Sequence, residues 1–480
     1  MDLHYKSAVE LAALIRRKKI GCLEMLDHFL ARVEKYNPKL NAIIWMDKDK
    51  ARKRAKAADA ALRKGKRFGP LHGVPMTIKE SYQVAGSPTT WGLPELKGNV
   101  TDTTAVSAQR MIDAGVTLFG KTNVPLMLAD WQSYNAVYGT TNNPWDVSRS
   151  PGGSSGGSAA ALAAGLTGIE AGSDIGSSIR NPAHYCGVFG HKPTYGLVTY
   201  AGQAMPGVVA SPDISVVGPL ARSAQDLEVA LDIMAGPDPD DGGAWRSTLP
   251  KSGKTSLKGF RVAVKLSDPN SEVDAEYADK LQAFVNALGT AGAKVREAEP
   301  AIDTLRLHDV YVRLLRAATS SRTTDAEIEG WKKTIAGGAD AIYLRQMVAG
   351  VTMGHREWLG LNNERHQMRL AFNEFFKDYD VLLCPVAASA AFPHDQEGER
   401  WRRRITINNK RVPTTDQLFW AGYSGVVYLP STVGPLGLAG SGLPVGYQAI
   451  AAQGGDKTSI AFAKLVEQAF GGFEPPPGYA

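Results

Sequence analysis

The sequence predicts an α/β protein with one large domain, in which helices cover both faces of a mixed central β-sheet. Strand-like apolar segments alternate with helical segments along most of the 480 residues. No linker clearly divides the chain, and no repeat is visible. Hydrophobic residues make up 44% and charged residues 21% of the chain, which is ordinary for a soluble globular protein. We therefore expect one domain over residues 1–480.

The N-terminal segments read as helices followed by a short strand. A helix is expected after a Ser7 cap, and a second one from Cys22 to Tyr36 has apolar residues at helical spacing and ends near Pro38. A strand is predicted at Asn41–Trp45, and a helix rich in Lys and Arg follows at Lys48–Arg67. A solvated helix face explains that charge more simply than an acidic partner does.

An apolar segment, VPMTI, predicts a buried strand that ends at Lys79. Most lysines are solvated surface groups. A lysine that closes an apolar strand is less ordinary, because burial lowers the pKa of an ammonium group and deprotonates it. Lys79 is therefore a candidate functional residue.

The stretch from Arg149 to Lys192 holds two glycine–serine clusters, PGGSSGG and GSDIGSSIR, joined by an alanine-rich segment that predicts a helix. Glycine allows close approach of backbone or ligand, and a serine hydroxyl serves as nucleophile, proton relay or hydrogen-bond partner. Apolar residues directly after the first cluster, and Asp174 and Arg180 beside the second, argue against a flexible linker. We expect a small-molecule site here. The residues alone leave the choice of functional serine open among Ser154, Ser155, Ser158, Ser173, Ser177 and Ser178.

Two motif matches lack their required context. Gly115–Thr122 fits the phosphate-loop pattern, but its middle residues read as a strand that follows a helix, and Pro125 interrupts the helix that should follow. Gly152–Gly156 fits the GxSxG elbow of α/β-hydrolases, but no strand precedes it. That enzyme class also needs a late histidine, and His355, His366 and His394 have no distinctive setting.

The C-terminal half continues the alternation of helices and strands. FGHKPTYGLV predicts a turn leading into a strand, and a strand–helix–strand unit at residues 260–299 extends the sheet. The other predicted elements are an amphipathic helix at Ala224–Gly236, helices over roughly 303–377, a strand at Tyr379–Ala387, a hairpin turning at Asn408-Asn409, a strand at Gly442–Ala451 and a closing helix from Asp456 to Phe470.

Composition excludes several function classes. A net charge of +6 is too small for this length to indicate nucleic-acid binding. The acidic loop Pro237–Gly243 lacks calcium-ligand spacing, and the three cysteines (Cys22, Cys186 and Cys384) indicate neither a disulfide framework nor a zinc site. No signal peptide and no membrane-spanning apolar run is present. We expect a cytoplasmic protein without metal, cofactor, membrane or nucleic-acid partner. The sequence does not decide between a monomer and a homodimer.

The central stretch resembles a known family. PGGSSGGSAAALAAG followed by GSDIGSSIRNPAHYCGVFGHKPT is similar to the signature of the amidase signature family, as are VPMTIKE, FGKTNVP, NNPWDVSRSPGG and GLPVGYQ. The resemblance is strongest over about residues 71–197 and extends weakly over nearly the whole chain. It implies a single amidase signature domain over residues 1–480.

The resemblance also implies a Ser–Ser–Lys catalytic arrangement. Ser178 would be the nucleophile, Lys79 the base, and Ser154, after a cis peptide bond, the bridging serine. The oxyanion hole would be formed by backbone N–H groups of the second cluster, those of Ile175, Gly176, Ser177 and Ser178. Asp174 and Arg180 would brace that loop. The chemistry is consistent, since a neutral lysine activates a serine hydroxyl through a hydroxyl that both donates and accepts.

The chain departs from the family pattern at Ser177, where the family commonly has glycine. We expect this side chain to reshape the oxyanion loop or narrow the pocket.

The implied activity is hydrolysis of a small-molecule amide. Apolar residues near the motifs favour an aryl or alkyl amide, with carbamates or esters as further substrates; they are Met127, Leu128, Trp131 and Met205. One alternative is the glutaminase component of a glutamyl-tRNA amidotransferase, although the segment Val124–Trp131 is more apolar than in that component. The other is a non-catalytic binding protein on the same scaffold.

Overall fold

A computed structural model describes residues 2–338 and 341–479 of the chain. The helices are α1 (Ala8–Arg16), α2 (Cys22–Leu40), α3 (Lys48–Arg63), α4 (Val106–Asp113), α5 (Gly156–Ala163), α6 (Arg180–Cys186), α7 (Ala224–Met234), α8 (Ala275–Thr290), α9 (Thr304–Ala318), α10 (Asp325–Ala336), α11 (Ile342–Val351), α12 (His355–Phe375), α13 (Leu418–Gly425) and α14 (Asp456–Phe470). The strands are β1 (Ile43–Met46), β2 (Pro75–Lys79), β3 (Thr117–Thr122), β4 (Tyr134–Asn135), β5 (Gly139–Thr140), β6 (Glu170–Asp174), β7 (Phe189–Lys192), β8 (Val216–Ala221), β9 (Arg261–Val264), β10 (Lys294–Glu297), β11 (Val381–Pro385), β12 (Arg404–Ile407), β13 (Lys410–Pro413), β14 (Ser431–Leu438) and β15 (Pro444–Ile450).

The predicted α/β fold with a mixed central sheet is confirmed. Eight strands form that sheet in the order β10-β9-β11-β15-β14-β7-β8-β6. The pairs β10–β9 and β9–β11 are parallel, as the predicted strand–helix–strand unit requires, and the remaining pairs are antiparallel. Helices lie on both faces of the sheet, as two adjacent residues of β14 show, since their side chains point to opposite faces. Ser431 contacts Gln448, which binds Arg180 of α6, whereas Thr432 contacts Ser459 of α14.

A second sheet places Lys79 beside the central stretch. Its strands are ordered β1-β3-β2, and β2 runs parallel to β3. A parallel bridge between Met76 and Ile169 connects β2 to the edge of the large sheet at β6. Parallel strands end at the same edge, so the C-terminal residue of β2, Lys79, lies next to the end of β6.

Small residues allow the central stretch to pack tightly. Every residue of α5, whose sequence is GGSAAALA, is buried. A Cβ on Gly157 would lie 2.4 Å from the backbone nitrogen of Asn123, so a larger residue cannot replace it without moving the backbone directly after β3. The Gly and Ala content of this segment therefore reflects close backbone packing, not linker flexibility.

Most predicted elements are present with small shifts of their ends, but one prediction is wrong. Among the shifted ends, helix α2 continues two residues past Pro38 to Leu40, and its C-cap, Asn41, has a left-handed φ of 51°. Proline in the last turn removes one N–H only, and the side-chain oxygen of Asn37 accepts from Ala42 and Ile43 beyond the helix.

The wrong prediction concerns FGHKPTYGLV, which was expected to be a turn leading into a strand. Its first four residues are strand β7, and the turn follows. Pro193 lacks an N–H and ends the ladder at Lys192.

No helix among residues 2–338 and 341–479 is long and apolar enough to cross a membrane.

Candidate active site

Lys79 is buried and contacts two serine hydroxyls. Its Nζ lies 2.6 Å from the Oγ of Ser154 and 2.9 Å from the Oγ of Ser173. Burial lowers the pKa of Lys79 well below its usual value, and the charge of Asp174 opposes this only in part. Asp174 itself is paired with Arg180, at 2.9 Å. The environment therefore favours a neutral amine, which is able to accept a proton from a hydroxyl.

Ser154 lies in a tight turn before α5. The Gly153-Ser154 peptide bond is cis, and Gly152 has a φ of 85°. A Cβ on Gly153 would lie 2.3 Å from the carbonyl oxygen of Asp130, so the backbone of this turn passes directly against a neighbouring segment. The first glycine–serine cluster thus places one hydroxyl, that of Ser154, against the lysine.

Ser178 lies in the loop between β6 and α6, and its carbonyl accepts from the N–H of Ser155 at 3.1 Å. Ser178, Ser154 and Ser173 line one cavity of about 340 Å³. The two clusters are thus held together by a backbone hydrogen bond, with a lysine behind them and a cavity in front.

The carboxylate of Asp174 organises the loop that carries Ser178. It accepts from the N–H groups of Ser177, Ile179 and Arg180 at 2.9, 3.0 and 3.3 Å, and from the guanidinium of Arg180. Burial alone would raise the pKa of Asp174, but the Arg180 guanidinium holds it below its usual value. The predicted bracing pair is therefore a buried, fully hydrogen-bonded ion pair, with both side chains 0% exposed.

Hydrogen bonds from outside the loop orient its peptide groups. The hydroxyl of Tyr311 donates to the carbonyl of Ile175 at 2.9 Å, and the Nε1 of Trp131 donates to that of Gly176 at 2.7 Å. In a trans peptide, C=O and N–H point in opposite directions, so both bonds also set the direction of the following N–H. One of these, the N–H of Ser177, points at Asp174 and is not available to an oxyanion.

The other three N–H groups predicted for the oxyanion hole, those of Ile175, Gly176 and Ser178, have no acceptor among the described residues. All three residues line the cavity.

Ser177 does not narrow the pocket, contrary to the expectation from its side chain. It has a left-handed φ of 72° and is not among the residues that line the cavity. Its hydroxyl is buried and has no partner in the described part of the chain. The loop therefore keeps a conformation that favours glycine, and the side chain is turned into the protein.

The cavity has largely apolar walls. All four residues predicted for the pocket line the cavity: Met127, Leu128, Trp131 and Met205. Four further lining residues are Trp91, Tyr200, Gln203 and Leu418. Trp131 has two roles, because it also donates to the oxyanion loop. Such walls suit an aryl or alkyl group.

A buried polar network behind Lys79 was not predicted. The Oγ of Ser173 accepts from Lys79 and also from the Nε2 of Gln203 at 3.1 Å, and the hydroxyl of Tyr200 accepts from Ser215 at 3.0 Å and from Gln203 at 3.5 Å. Ser173 is one of the six serines among which the residues alone did not identify the functional one. The sequence holds no signal for Gln203, whose partner Ser173 lies 30 residues away in the chain.

The remaining serines and motif matches have structural partners. Ser155 donates to the carbonyl of Ser173 at 3.4 Å, and Ser158 contacts Thr122 at 2.8 Å. The lysine of the phosphate-loop match, Lys121, lies in strand β3 and donates to the carbonyl of Pro88 at 2.6 Å. None of the late histidines lines the cavity. Residues 2–338 and 341–479 contain no cluster of acidic, histidine or cysteine side chains that could hold a metal ion.

The chain is similar to several proteins of known activity. A family model described as "Amidase" matches residues 24–460. An acylamidase of Rhodococcus erythropolis is 32% identical over 462 residues, covering 93% of this chain and 92% of the relative. A glutamyl-tRNA(Gln) amidotransferase component from Anaeromyxobacter sp. (strain K) is 31% identical over 499 residues, covering 98% and 97%. The crystal structure of a bacterial aryl acylamidase has the same fold, with a TM-score of 0.83, 24% identity and coverage of 98% and 97%.

Proposed function

This chain belongs to the amidase signature family and is an amide hydrolase, and from that premise we propose that it acts alone and forms an acyl-enzyme on Ser178. The observation that carries the proposal is the contact of 2.6 Å between Lys79 and Ser154 in the wall of a cavity that Ser178 also lines. A buried lysine with a lowered pKa, a bridging hydroxyl and a third hydroxyl facing the substrate space are the groups that acyl transfer requires.

In the acylation step, the Oγ of Ser178 attacks the carbonyl carbon of the amide. Its proton passes to the Oγ of Ser154, whose own proton passes to the neutral amine of Lys79. The same relay in reverse delivers a proton to the leaving nitrogen, the C–N bond breaks, and the acyl group remains as an ester of Ser178. Water then attacks that ester by the same route and releases the acid.

The negative charge on the carbonyl oxygen would be stabilised by the free N–H groups of Ile175, Gly176 and Ser178. Each such donor contributes about 3–4 kcal/mol in the transition state. The N–H of Ser177 is omitted from this set, because Asp174 binds it.

The substrate class follows from the cavity. Its walls of Met127, Leu128, Trp131 and Met205 favour aryl or alkyl amides. A carbamate or an ester presents the same carbonyl to the same nucleophile, so both are proposed as further substrates.

A fluorophosphonate probe tests the nucleophile directly. Intact-protein mass should show one adduct on wild type and none on Ser178→Ala. Ser177→Gly is the matched control, because it removes a neighbouring hydroxyl that does not line the cavity and it suits the left-handed backbone; it should keep the adduct. An adduct on Ser178→Ala would refute the assignment, and no adduct on wild type would favour a non-catalytic binding protein. Anilides, primary amides and carbamates then define the substrate.

The second candidate function is the glutaminase component of a glutamyl-tRNA amidotransferase. The observation in its favour is 31% identity over nearly the full length to a component of such an enzyme. Ammonia release from glutamine, measured on the isolated chain and with added candidate partner proteins, separates the two functions. Hydrolysis of an anilide by the isolated chain, without glutaminase activity in either condition, supports the stand-alone hydrolase.

A further inference from the structure

Two arginines that line the active-site cavity form no ion pair with a carboxylate of the described residues. Arg316 lies in the last turn of α9, and Arg400 lies in a short helical turn before β12. Both donate to the hydroxyl of Tyr343, at 3.4 Å for Arg400. In the part of the chain that the structure describes, neither forms an ion pair with an acidic group.

The carboxylates around this end of the cavity are engaged elsewhere. Asp130 forms an ion pair of 2.7 Å with Arg403. Glu327 caps the start of α10, where it accepts from the N–H and the hydroxyl of Thr324, both at 2.7 Å. Glu95 pairs at 3.3 Å with Arg322, which also lines the cavity. Among the described residues, neither Arg316 nor Arg400 therefore forms an ion pair with these carboxylates, although the charge of Asp130 also acts on Arg400.

Two buried donors at the same end also have no partner among residues 2–338 and 341–479. They are the Nε of Arg316 and the Oγ1 of Thr415, a residue that lines the cavity and is 6% exposed. Buried donors in folded proteins are nearly always paired. Burial, together with the charge of Arg400, lowers the pKa of Arg316 well below its usual value, so the protein holds these two guanidinium groups close together at a cost in free energy.

We propose that Arg316 and Arg400 bind a carboxylate of the substrate, so that the enzyme acts on apolar amides that carry one carboxylate group. This inference rests on the proposed hydrolysis at Ser178 and names its substrate class. A guanidinium presents donors in a planar fork that matches two carboxylate oxygens, and the hydroxyl of Thr415 supplies a further donor. The apolar walls hold the hydrocarbon part between this anion and the scissile carbonyl.

Paired substrates test the charge requirement. The mono-4-nitroanilides of succinic, glutaric and adipic acid are compared with the butyryl, valeryl and hexanoyl 4-nitroanilides, which lack the carboxylate. N-acyl-4-aminobenzoates and N-acyl anilines test the same charge on the amine side. We expect kcat/KM to favour the carboxylate in at least one series by about 10- to 100-fold, the usual range for a charged hydrogen-bonded contact. Equal or lower kcat/KM for the carboxylates in both series would overturn the proposal.

Variants assign the preference to the two arginines. Arg316→Gln and Arg400→Gln should each lower the ratio of kcat/KM between the charged and the neutral substrate by about 10-fold or more. Arg322→Gln is the matched control, because this arginine lines the same cavity but is paired with Glu95, and it should keep the ratio. A ratio that stays constant in Arg316→Gln and Arg400→Gln, both folded by circular dichroism, would contradict the assignment.

A binding measurement separates this inference from the catalytic proposal. Calorimetric titration of Ser178→Ala should show the carboxylate-bearing anilide binding at least 10-fold more tightly than its neutral counterpart, and the additional Arg316→Gln change should remove that difference. Equal binding of the two compounds would refute the carboxylate site whatever the turnover. Selective binding to Ser178→Ala without turnover by wild type would contradict the proposed hydrolysis at Ser178 alone.

Discussion

At the scale of single residues, the proposed chemistry depends on the protonation states of two buried titratable groups, Lys79 and Asp174. Lys79 has two hydroxyl partners and no carboxylate of its own, so burial dominates and its pKa falls. Asp174 is equally buried but contacts a guanidinium and three N–H groups, so its carboxylate stays charged. The same burial thus yields a neutral base and a permanent anion within one site, because their partners differ.

Lys79→Met tests the neutral lysine through both turnover and stability. Loss of the base should lower kcat/KM by about 10²–10⁴-fold. The unfolded chain binds a proton at this lysine below pH about 10.4, whereas the folded chain resists it, so the wild-type free energy of unfolding should rise with pH relative to the variant. The expected slope is at most about 1.4 kcal/mol per pH unit between pH 7 and 10, measured by urea unfolding.

The exposed Lys66→Met variant is the control for this experiment. If Lys79→Met and wild type differ by the same free energy at every pH, then Lys79 is charged in the folded protein and the proposed base is wrong.

Part of the site could be predicted at this scale and part could not. The position of Lys79 at the end of an apolar strand marked it as unusual, but the residues alone did not distinguish Ser154 and Ser178 from the other serines, and only the family resemblance did. The roles of Tyr311 and Gln203 were not predicted. Tyr311 lies 136 residues from its partner Ile175, and local patterns carry no information on such contacts.

At the scale of elements, the loop after β6 is shaped by segments that are distant in sequence. Helix α9 contributes Tyr311, and the segment before the first glycine–serine cluster contributes Trp131. The loop itself contributes no side chain to the hydrogen bonds on its carbonyls. Its N–H groups therefore depend on α9 for their direction, which connects the helices of residues 304–375 to the proposed oxyanion hole.

Tyr311→Phe tests this connection. The change removes the bond to the carbonyl of Ile175 and keeps the buried ring, so we expect kcat to fall about 10-fold with little change in KM, and stability to fall by about 1 kcal/mol. Steady-state kinetics and thermal unfolding measure the two effects. Tyr5→Phe is the control, since its hydroxyl donates to the carbonyl of Tyr479 and Tyr5 does not line the cavity; its kcat should not change. An unchanged kcat in Tyr311→Phe would show that the loop holds its direction without this bond.

Periodicity and turn chemistry predicted most elements, and the failures have local causes. The hairpin turn was predicted from the residue types Asn408-Asn409, because asparagine tolerates the left-handed φ that this type of turn requires. In the structure the two residues have φ values of 48° and 64°. Strands β8 and β14 were not predicted. Each contains a Gly-Pro pair, which normally argues against a strand, and β14 is nevertheless paired on both sides in the middle of the sheet.

At the scale of the whole molecule, one buried ion pair joins distant parts of the chain. Besides Asp174, Arg180 donates to the carbonyl of Ala421 at 3.1 Å, to Ser424 at 2.9 Å and to Gln448 at 2.8 Å. These residues belong to α13 and β15. The guanidinium therefore fixes the Ser178 loop against two elements of the C-terminal part of the fold, and its loss should affect global stability as well as the site.

The three cysteines provide a simple test of the fold as a whole. All are free and buried, at Cys22 in α2, Cys186 in α6 and Cys384 in β11. Burial also raises the pKa of Cys22 and Cys384 to about 12, so little thiolate forms at neutral pH. We expect a disulfide-exchange reagent to label no thiol in the native protein at pH 8 and three in urea. Rapid labelling of any native thiol would contradict the packing around it.

Arg180→Met tests the ion pair itself. It leaves the carboxylate of Asp174 buried without its cation, so the free energy of unfolding at pH 7 should fall by about 3–5 kcal/mol. In wild type, Arg180 holds the pKa of Asp174 below its usual value, so this stabilisation is present above pH about 3.9 and is lost as pH falls through the folded pKa. In the variant, burial raises that pKa instead. The folded variant then takes up a proton before the unfolded chain does, and its deficit against wild type should be smaller at pH 5 than at pH 7.

Urea unfolding of wild type, Arg180→Met, a double variant and a control variant at both pH values measures this effect. The double variant Asp174→Asn/Arg180→Met removes the buried charge and should recover about 1 kcal/mol or more of the stability lost at pH 7. Its deficit against wild type should be no smaller at pH 5 than at pH 7. Arg32→Met is the control, because Arg32 is also buried but donates to the carbonyls of Ala164 and Gly165 and not to a carboxylate. If the deficit of Arg180→Met is equal at the two pH values, the uncompensated charge of Asp174 is not its cause, and lost hydrogen bonds to α13 and β15 account for it instead.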